Sequence, residues 1–235
     1  FFQISYEGTN FLGWQKQAKG ATVQSSIEDS LSKLCSMKPI SIIGCGRTDT
    51  GVHAKKYFFH VDLKEKVDTS QFKFKLNLML EKTISIHKLF QVSDNLHARF
   101  NAKLRTYKYF IHFKKDAFKQ HNSWWISQDI DLELMNKAAV LLVGKMDFEA
   151  FSKKHTDVKT HICTITKADF TSIDNGIVFE ISANRFLRNM VRAIVGTLIE
   201  VGLHKVSLEE FQQIITSKSR QNAAASAPAS GLFCC

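Results

Sequence analysis

The chain has 235 residues, 44% of them hydrophobic, and contains no run of 18 apolar residues; this reads as one large or two small globular domains and argues against a transmembrane helix. Lysine and arginine number 32 against 22 aspartates and glutamates, and the net charge of +10 points to a polyanionic partner, because neutralised phosphates release counterions. The five cysteines, Cys35, Cys45, Cys163, Cys234 and Cys235, contain no C-x-x-C pair, which argues against a disulfide framework and structural zinc and for reduced thiols.

The start, "FFQISYEGTN", lacks a basic segment and a cleavage site, so it reads as a strand over 1–6 running into a turn. With no membrane span, a cytoplasmic protein is the expectation. Thr22 is placed to N-cap a helix carrying Val23, Ile27, Leu31 and Leu34 on one face. Strands over 40–45 and 56–63 flank a glycine-rich loop; a helix over 70–80 and a strand over 83–92 follow. The seam falls near "NLHARFNAKL" (95–104). Beyond it come a strand over 105–113, a helix over 131–143 entered through Asp131, and a hairpin of 162–172 and 177–184 turned by "DNG". Helices over 186–201 and 207–217 follow, the second with a Ser207–Glu210 capping box. "QNAAASAPAS" (221–230) reads as a loop, and "SGLFCC" as the start of a final strand. Each half approximates β-α-β-β-α-β, the split βαβ layout. The expectation is an α+β fold of two halves, 1–103 and 104–235.

The stretch "IIGCGRTDTGVHA" (42–54) carries the most chemistry. Gly46-x4-Gly51 has the spacing of a phosphate loop, but Val52 and His53 stand where lysine and Ser/Thr are needed. Gly44-x-Gly46 begins a dinucleotide fingerprint, but its third glycine is replaced by Asp49, which would repel a pyrophosphate. Asp49-Thr50-Gly51 matches the D-T-G of aspartic proteases, a chemistry that needs two carboxylates sharing one proton. Arg47 so close favours full ionisation of the carboxylate instead. A structural role, with Asp49 bonding its own turn, is the alternative on this stretch alone.

In "SANRFLRNMVRAIVGTLIEVG" (182–202), Leu187, Met190, Val191, Ile194, Val195, Leu198 and Ile199 recur at helical spacing. Arg185, Arg188 and Arg192 stand roughly opposite and crowd the expected first turns, where cations are disfavoured by about 0.3–1 kcal/mol each. Such a cluster suggests an anionic ligand or a carboxylate partner; a solvated face is the plainer reading. In "RTYKYFIHF" (105–113), Tyr109 reads as a half-buried strand residue. Tyr107, at the strand's start beside Arg105, reads as a platform for stacking a nucleobase.

Taken together, "GCGRTDTGVHA", "HARFNAKLRTYKYFI", "NRFLRNMVRAIVGTLIEVG" and "AAASAPASGLF" resemble the four signature regions of the TruA family of tRNA pseudouridine synthases, in the family's order. "ISYEGTNFLGWQKQ" is similar to that family's first strand and turn. The resemblance implies two ferredoxin-like halves whose strands form one extended, mainly antiparallel sheet with helices on one face. It implies an isomerase that acts as a homodimer, without metal or cofactor, and converts uridine to pseudouridine in the anticodon stem-loop, around positions 38 to 40. The family's aspartate falls on Asp49. The tyrosine that packs on the target base falls on Tyr107, the arginine that pairs with the carboxylate on Arg192, and the leucine of the base pocket on Leu232.

The residues suit that reaction. A carboxylate is a competent nucleophile at carbon and a good leaving group, or a base for a sugar proton; the sequence leaves attack on C1′, attack on C6 and proton abstraction open. Extruding the base costs a few kcal/mol, and Arg47 on the same loop is assigned to a phosphate or to the vacated stack. Departures from the family pattern are Thr50, where alanine is commoner; Glu81 and Lys82, where a proline commonly follows the leucine; and Cys163, where many members carry arginine. The chain also ends at "GLFCC", so a cut or incomplete edge strand of the second half is expected. His53 matches the motif, with a turn-stabilising hydrogen bond as its expected role. A non-catalytic RNA-binding module is the competing class, since its domains share the split βαβ layout.

Overall fold

The computed structural model describes residues 1–63, 65–153 and 158–235. In chain order its elements are β1 (Phe2–Tyr6), α1 (Val23–Leu34), β2 (Ile43–Gly44), β3 (His53–His60), α2 (Thr69–Met79) and β4 (Ile84–Leu89). Then come β5 (Arg105–His112), β6 (Trp124–Trp125), α3 (Leu132–Val140), β7 (Gly144–Asp147), β8 (Ile162–Ile173), β9 (Gly176–Ala183), α4 (Met190–Gly202), α5 (Leu208–Ser217) and β10 (Leu232–Cys234). The chain forms two compact units, Phe1–Lys103 with Phe233–Cys235, and Leu104–Leu232. The fold is α+β with mostly antiparallel strands, as the sequence predicts.

In the first unit β1 lies between β4 and β3, antiparallel to both. The opposite edge of β3 takes β2 antiparallel at Phe59 and His60, and β10 parallel at His53 and Ala54. The last three residues thus belong to the first unit and not, as expected from the sequence, to an edge of the second half, because their backbone pairs with His53 and Ala54 of β3. Burial alternates along β1, so Phe2, Ile4 and Tyr6 face the core, with Phe2 stacked on Phe59 at 4.6 Å. Helix α1 covers this layer through Val23, Ile27 and Leu31, all 0% exposed. Its start is set by a capping box in which the Thr22 hydroxyl accepts from Ser25 N. The expected strand 40–45 shrinks to Ile43–Gly44. Ile42 N donates to the Glu28 carboxylate at 3.1 Å rather than to a neighbouring strand.

In the second unit β9 lies between β5 and β8, antiparallel to both, and β7 continues beyond β8. The β8–β9 hairpin turns through Asp174 and Asn175, whose φ of 54° is the left-handed value that asparagine tolerates. Helix α4 is the apolar centre of this unit: among its residues only Arg192 and Glu200 escape full burial. Helix α5 starts at Ser207, whose hydroxyl accepts from Glu210 N at 3.1 Å while Ser207 N donates to the Glu210 carboxylate at 2.8 Å. The two-residue β6 and the strand β7 carry too few residues to show a period in the sequence.

The helix predicted over 186–201 begins at Met190, because Asn189 takes a left-handed φ of 64° and breaks the helical path. Arg185 and Arg188 therefore precede the helix, and of the three arginines Arg192 alone stands in its first turn.

Candidate active site

Asp49 and Arg47 lie in the first unit, on the loop joining β2 to β3. The loop is held by groups distant in sequence. Below it, Tyr57 donates its hydroxyl to the Gly46 carbonyl, and the Tyr6 hydroxyl meets Thr48 Oγ1 at 2.9 Å. Both tyrosines are buried, and burial pushes both phenols well above their ordinary pKa. Beside it runs the turn after β1. Trp14 N donates to Thr48 O at 3.2 Å, and Gly51 N donates to Phe11 O at 3.2 Å. Within it, Val52 N donates to Asp49 O at 3.1 Å. Gly13 allows the two backbones to touch: with φ +88°, a Cβ there would stand 2.3 Å from Thr48 O. Gly51, at φ 76°, makes the turn after Asp49.

This clamp leaves Asp49 half-buried and Arg47 exposed. Arg47 Nε donates to Gln15 Oε1 at 3.1 Å, so the guanidinium is steered by the neighbouring turn. His53 has the expected structural role: its Nδ1 accepts from Gly8 N at 3.0 Å. An acceptor Nδ1 carries no proton, so its 3.3 Å approach to the Glu7 carboxylate is not an ion pair in that tautomer. The ring also stacks on Phe233 at 4.5 Å.

Tyr107, Arg192 and Leu232 lie in the second unit. Tyr107 is the third residue of β5, half-buried, opposite Ile181 of β9, with its ring edge-on to Phe186 at 5.2 Å and 86°. Tyr109, read from the sequence as half-buried, is fully buried. Its hydroxyl donates to Pro228 O at 2.7 Å. Arg192 Nε donates to Ala227 O at 2.7 Å, and Ala227 N returns a bond to Arg192 O at 3.0 Å. The same segment is gripped by Arg220, whose guanidinium donates to Ala223 O, Ala224 O and Ser226 Oγ. Asn189 Nδ2 also donates to Ser226 Oγ, at 2.6 Å. The stretch 221–230 that reads as a loop is thus a strap tying α4 to β5, and it leads into Leu232, which is 5% exposed.

Sequence reasoning passed over Tyr6, Tyr57, Gly13 and Arg220. The glycine-aromatic stretch "YEGTNFLGW" (6–14) was the available signal for Tyr6 and Gly13; Tyr57 and Arg220 had none. Cys163, at the position where many members carry arginine, is fully buried, and burial pushes its thiol up to about 11. Among the described residues one group has ligand atoms close enough for a cation, Asp147, Glu149 and His161. The Lys218 ammonium stands 3.3 Å from Asp147.

A family model described as tRNA pseudouridine synthase matches residues 3–101 and 138–235. The chain belongs to the tRNA pseudouridine synthase family. Among its relatives, the protein named tRNA pseudouridine synthase A of Parabacteroides distasonis is 45% identical over 99% of this chain and 92% of its own length. The one of Bacteroides thetaiotaomicron is 44% identical over 99% of this chain and 87% of its own. That of Bacillus licheniformis is 36% identical over 98% and 94%. Asp49, Arg47, Arg192 and Leu232 fall inside the stretches matched by the synthase family model; Tyr107 falls between them. No helix of the described residues is long and apolar enough to cross a membrane.

Proposed function

We propose that this member of the family isomerises uridine to pseudouridine in the anticodon stem-loop of tRNA, around positions 38 to 40, with Asp49 as nucleophile. The observation that carries the reading is the family match over both halves, with the G-R-T-D aspartate standing half-buried on a loop clamped at five backbone or hydroxyl contacts. A nucleophile held in this way needs little reorganisation before reaction. In the isomerisation the N1–C1′ bond breaks, the uracil turns, C5–C1′ forms, C5 loses its proton and N1 gains one. No redox partner or phosphate donor enters that balance.

The residues divide the work. Asp49, ionised, attacks the flipped-out nucleotide at C1′ or C6, or removes a sugar proton. Arg192 favours the ionised carboxylate, and Arg47 holds a phosphate or fills the space vacated by the extruded base. Tyr107 stacks on the target base, and Leu232 lines its pocket. The enzyme acts as a cytoplasmic homodimer. Replacing Asp49 by alanine is expected to abolish pseudouridine formation in a tRNA transcript while binding stays within about threefold of wild type. Normal turnover by Asp49→Ala would remove the nucleophile assignment.

A further inference from the structure

From the end of β5 through β6 the sequence "FKKDAFKQHNSWW" (113–125) interleaves the rings of Phe113, Phe118, Trp124 and Trp125 with three lysines and one aspartate. It lies between the two stretches matched by the family model. Phe118 is 91% exposed, Trp125 46% and Phe113 36%. Single exposed apolar residues are ordinary; three exposed rings within one short segment are not.

The segment is built to present those rings. Asp116 Oδ1 accepts from Phe118 N at 2.9 Å, Lys119 N donates to Asp116 O at 3.2 Å, and Asn122 N donates to Lys119 O at 3.1 Å. These successive turns leave Phe118 pointing outward. The far end is bolted down: β6 pairs parallel with β5, and Trp124 packs edge-on against the buried Tyr109 at 6.3 Å. Trp125, next in the strand, faces out. Its indole Nε1 donates to Phe113 O at 3.3 Å, and Lys115 Nζ lies 5.9 Å from its ring centroid. Beneath, His112 is 3% exposed, and its Nδ1 has no hydrogen-bond partner among the described residues.

Two ligand classes fit exposed rings: another protein and a nucleic acid. Lysine is depleted at the centres of protein interfaces, yet Lys114 and Lys115 precede Phe118 and Lys119 follows it. Aromatic faces beside cations suit a chain that carries flat bases and phosphates. We propose that Phe118 and Trp125, with Lys114, Lys115 and Lys119, form a stacking platform for an unpaired stretch of RNA. It is a second RNA contact, separate from the Tyr107 position. The proposal rests on the reading above in taking tRNA as the source of that RNA.

The test is binding and turnover by the full chain carrying Phe118→Ala, Trp125→Ala or Lys115→Ala, with a tRNA transcript and a single-stranded oligouridine as probes. Phe118→Ala and Trp125→Ala are each expected to weaken both probes roughly tenfold. Lys115→Ala is expected to lower the salt slope of binding by about one. At saturating tRNA, kcat is expected to stay at the wild-type value. Unchanged RNA affinity in Phe118→Ala, with circular dichroism showing the wild-type fold, overturns the platform. So does a fall in sedimentation mass at unchanged RNA affinity, which would make the patch a contact between copies of the chain. Should wild type make no pseudouridine while Phe118→Ala still loses RNA affinity, the platform stands and the catalytic reading falls.

Discussion

At the scale of single residues, the contrast between Asp49 and Arg192 is informative. Asp49 is held by its loop backbone, whereas Arg192 is held by its own side chain through Nε and Ala227 O. One guanidinium N–H is therefore spent on the strap, and the planar head keeps further donors for an anion. Lysine has no second edge of that kind. Arg192→Ala is expected to lower kcat roughly a hundredfold, with KM for tRNA changing by no more than about threefold, if the arginine acts on the charge of Asp49. Arg192→Lys is expected to recover little, because an ammonium does not reproduce the fork. Steady-state kinetics on a tRNA transcript separate the two constants. A loss confined to KM would make Arg192 a phosphate clamp.

At the scale of elements, the Asp49 loop is held by an assembly of three segments: β1 with its following turn, the β2–β3 loop itself and the middle of β3. Gly13 is the tightest point. A side chain there meets both a positive φ and the Thr48 carbonyl, and both push the turn away from the loop. Gly13→Ala is expected to destabilise the protein by about 1–3 kcal/mol and to lower activity as well, since Thr48 and Asp49 move with the displaced turn. The N-cap of α1 makes the control. Thr22→Ala removes the acceptor for Ser25 N and is expected to cost about 1 kcal/mol while leaving kcat unchanged. Urea midpoints and kcat, measured on both variants, distinguish a loop defect from a general loss of stability.

At the scale of the whole molecule, burial shifts several weak acids, phenols and a thiol, in the same direction. Burial raises the phenols of Tyr6, Tyr57 and Tyr109, and it pushes the Cys163 thiol up to about 11. In the unfolded chain these groups ionise from about pH 8.5 to 10. The folded state holds its protons beyond that range. The unfolded state then binds fewer protons, so stability is fully present below about pH 8.5 and declines as the pH rises past it. Urea midpoints taken near neutrality and at alkaline pH should show the fall. Tyr109→Phe should flatten it, at a loss of about 1–3 kcal/mol at neutral pH for the unpaired Pro228 carbonyl.

The local signals were legible in the sequence. Thr22, Asp131 and Ser207 marked three helix starts, "DNG" marked the β8–β9 turn, and alternation with β-favouring residues marked β5. Each depends on hydrogen bonds or side-chain periods that span a few residues. The G-R-T-D stretch also singled out Asp49 as the candidate nucleophile through its resemblance to the family motif. The tertiary structure alone decided how that loop is held, since Tyr6, Gly13 and Tyr57 reach it from other segments. It alone turned 221–230 into a strap for Arg192, and it alone returned β10 to pair with β3, some 180 positions earlier in the chain. Contacts of that kind depend on which surfaces meet after the chain has collapsed, and no window of neighbouring residues records them.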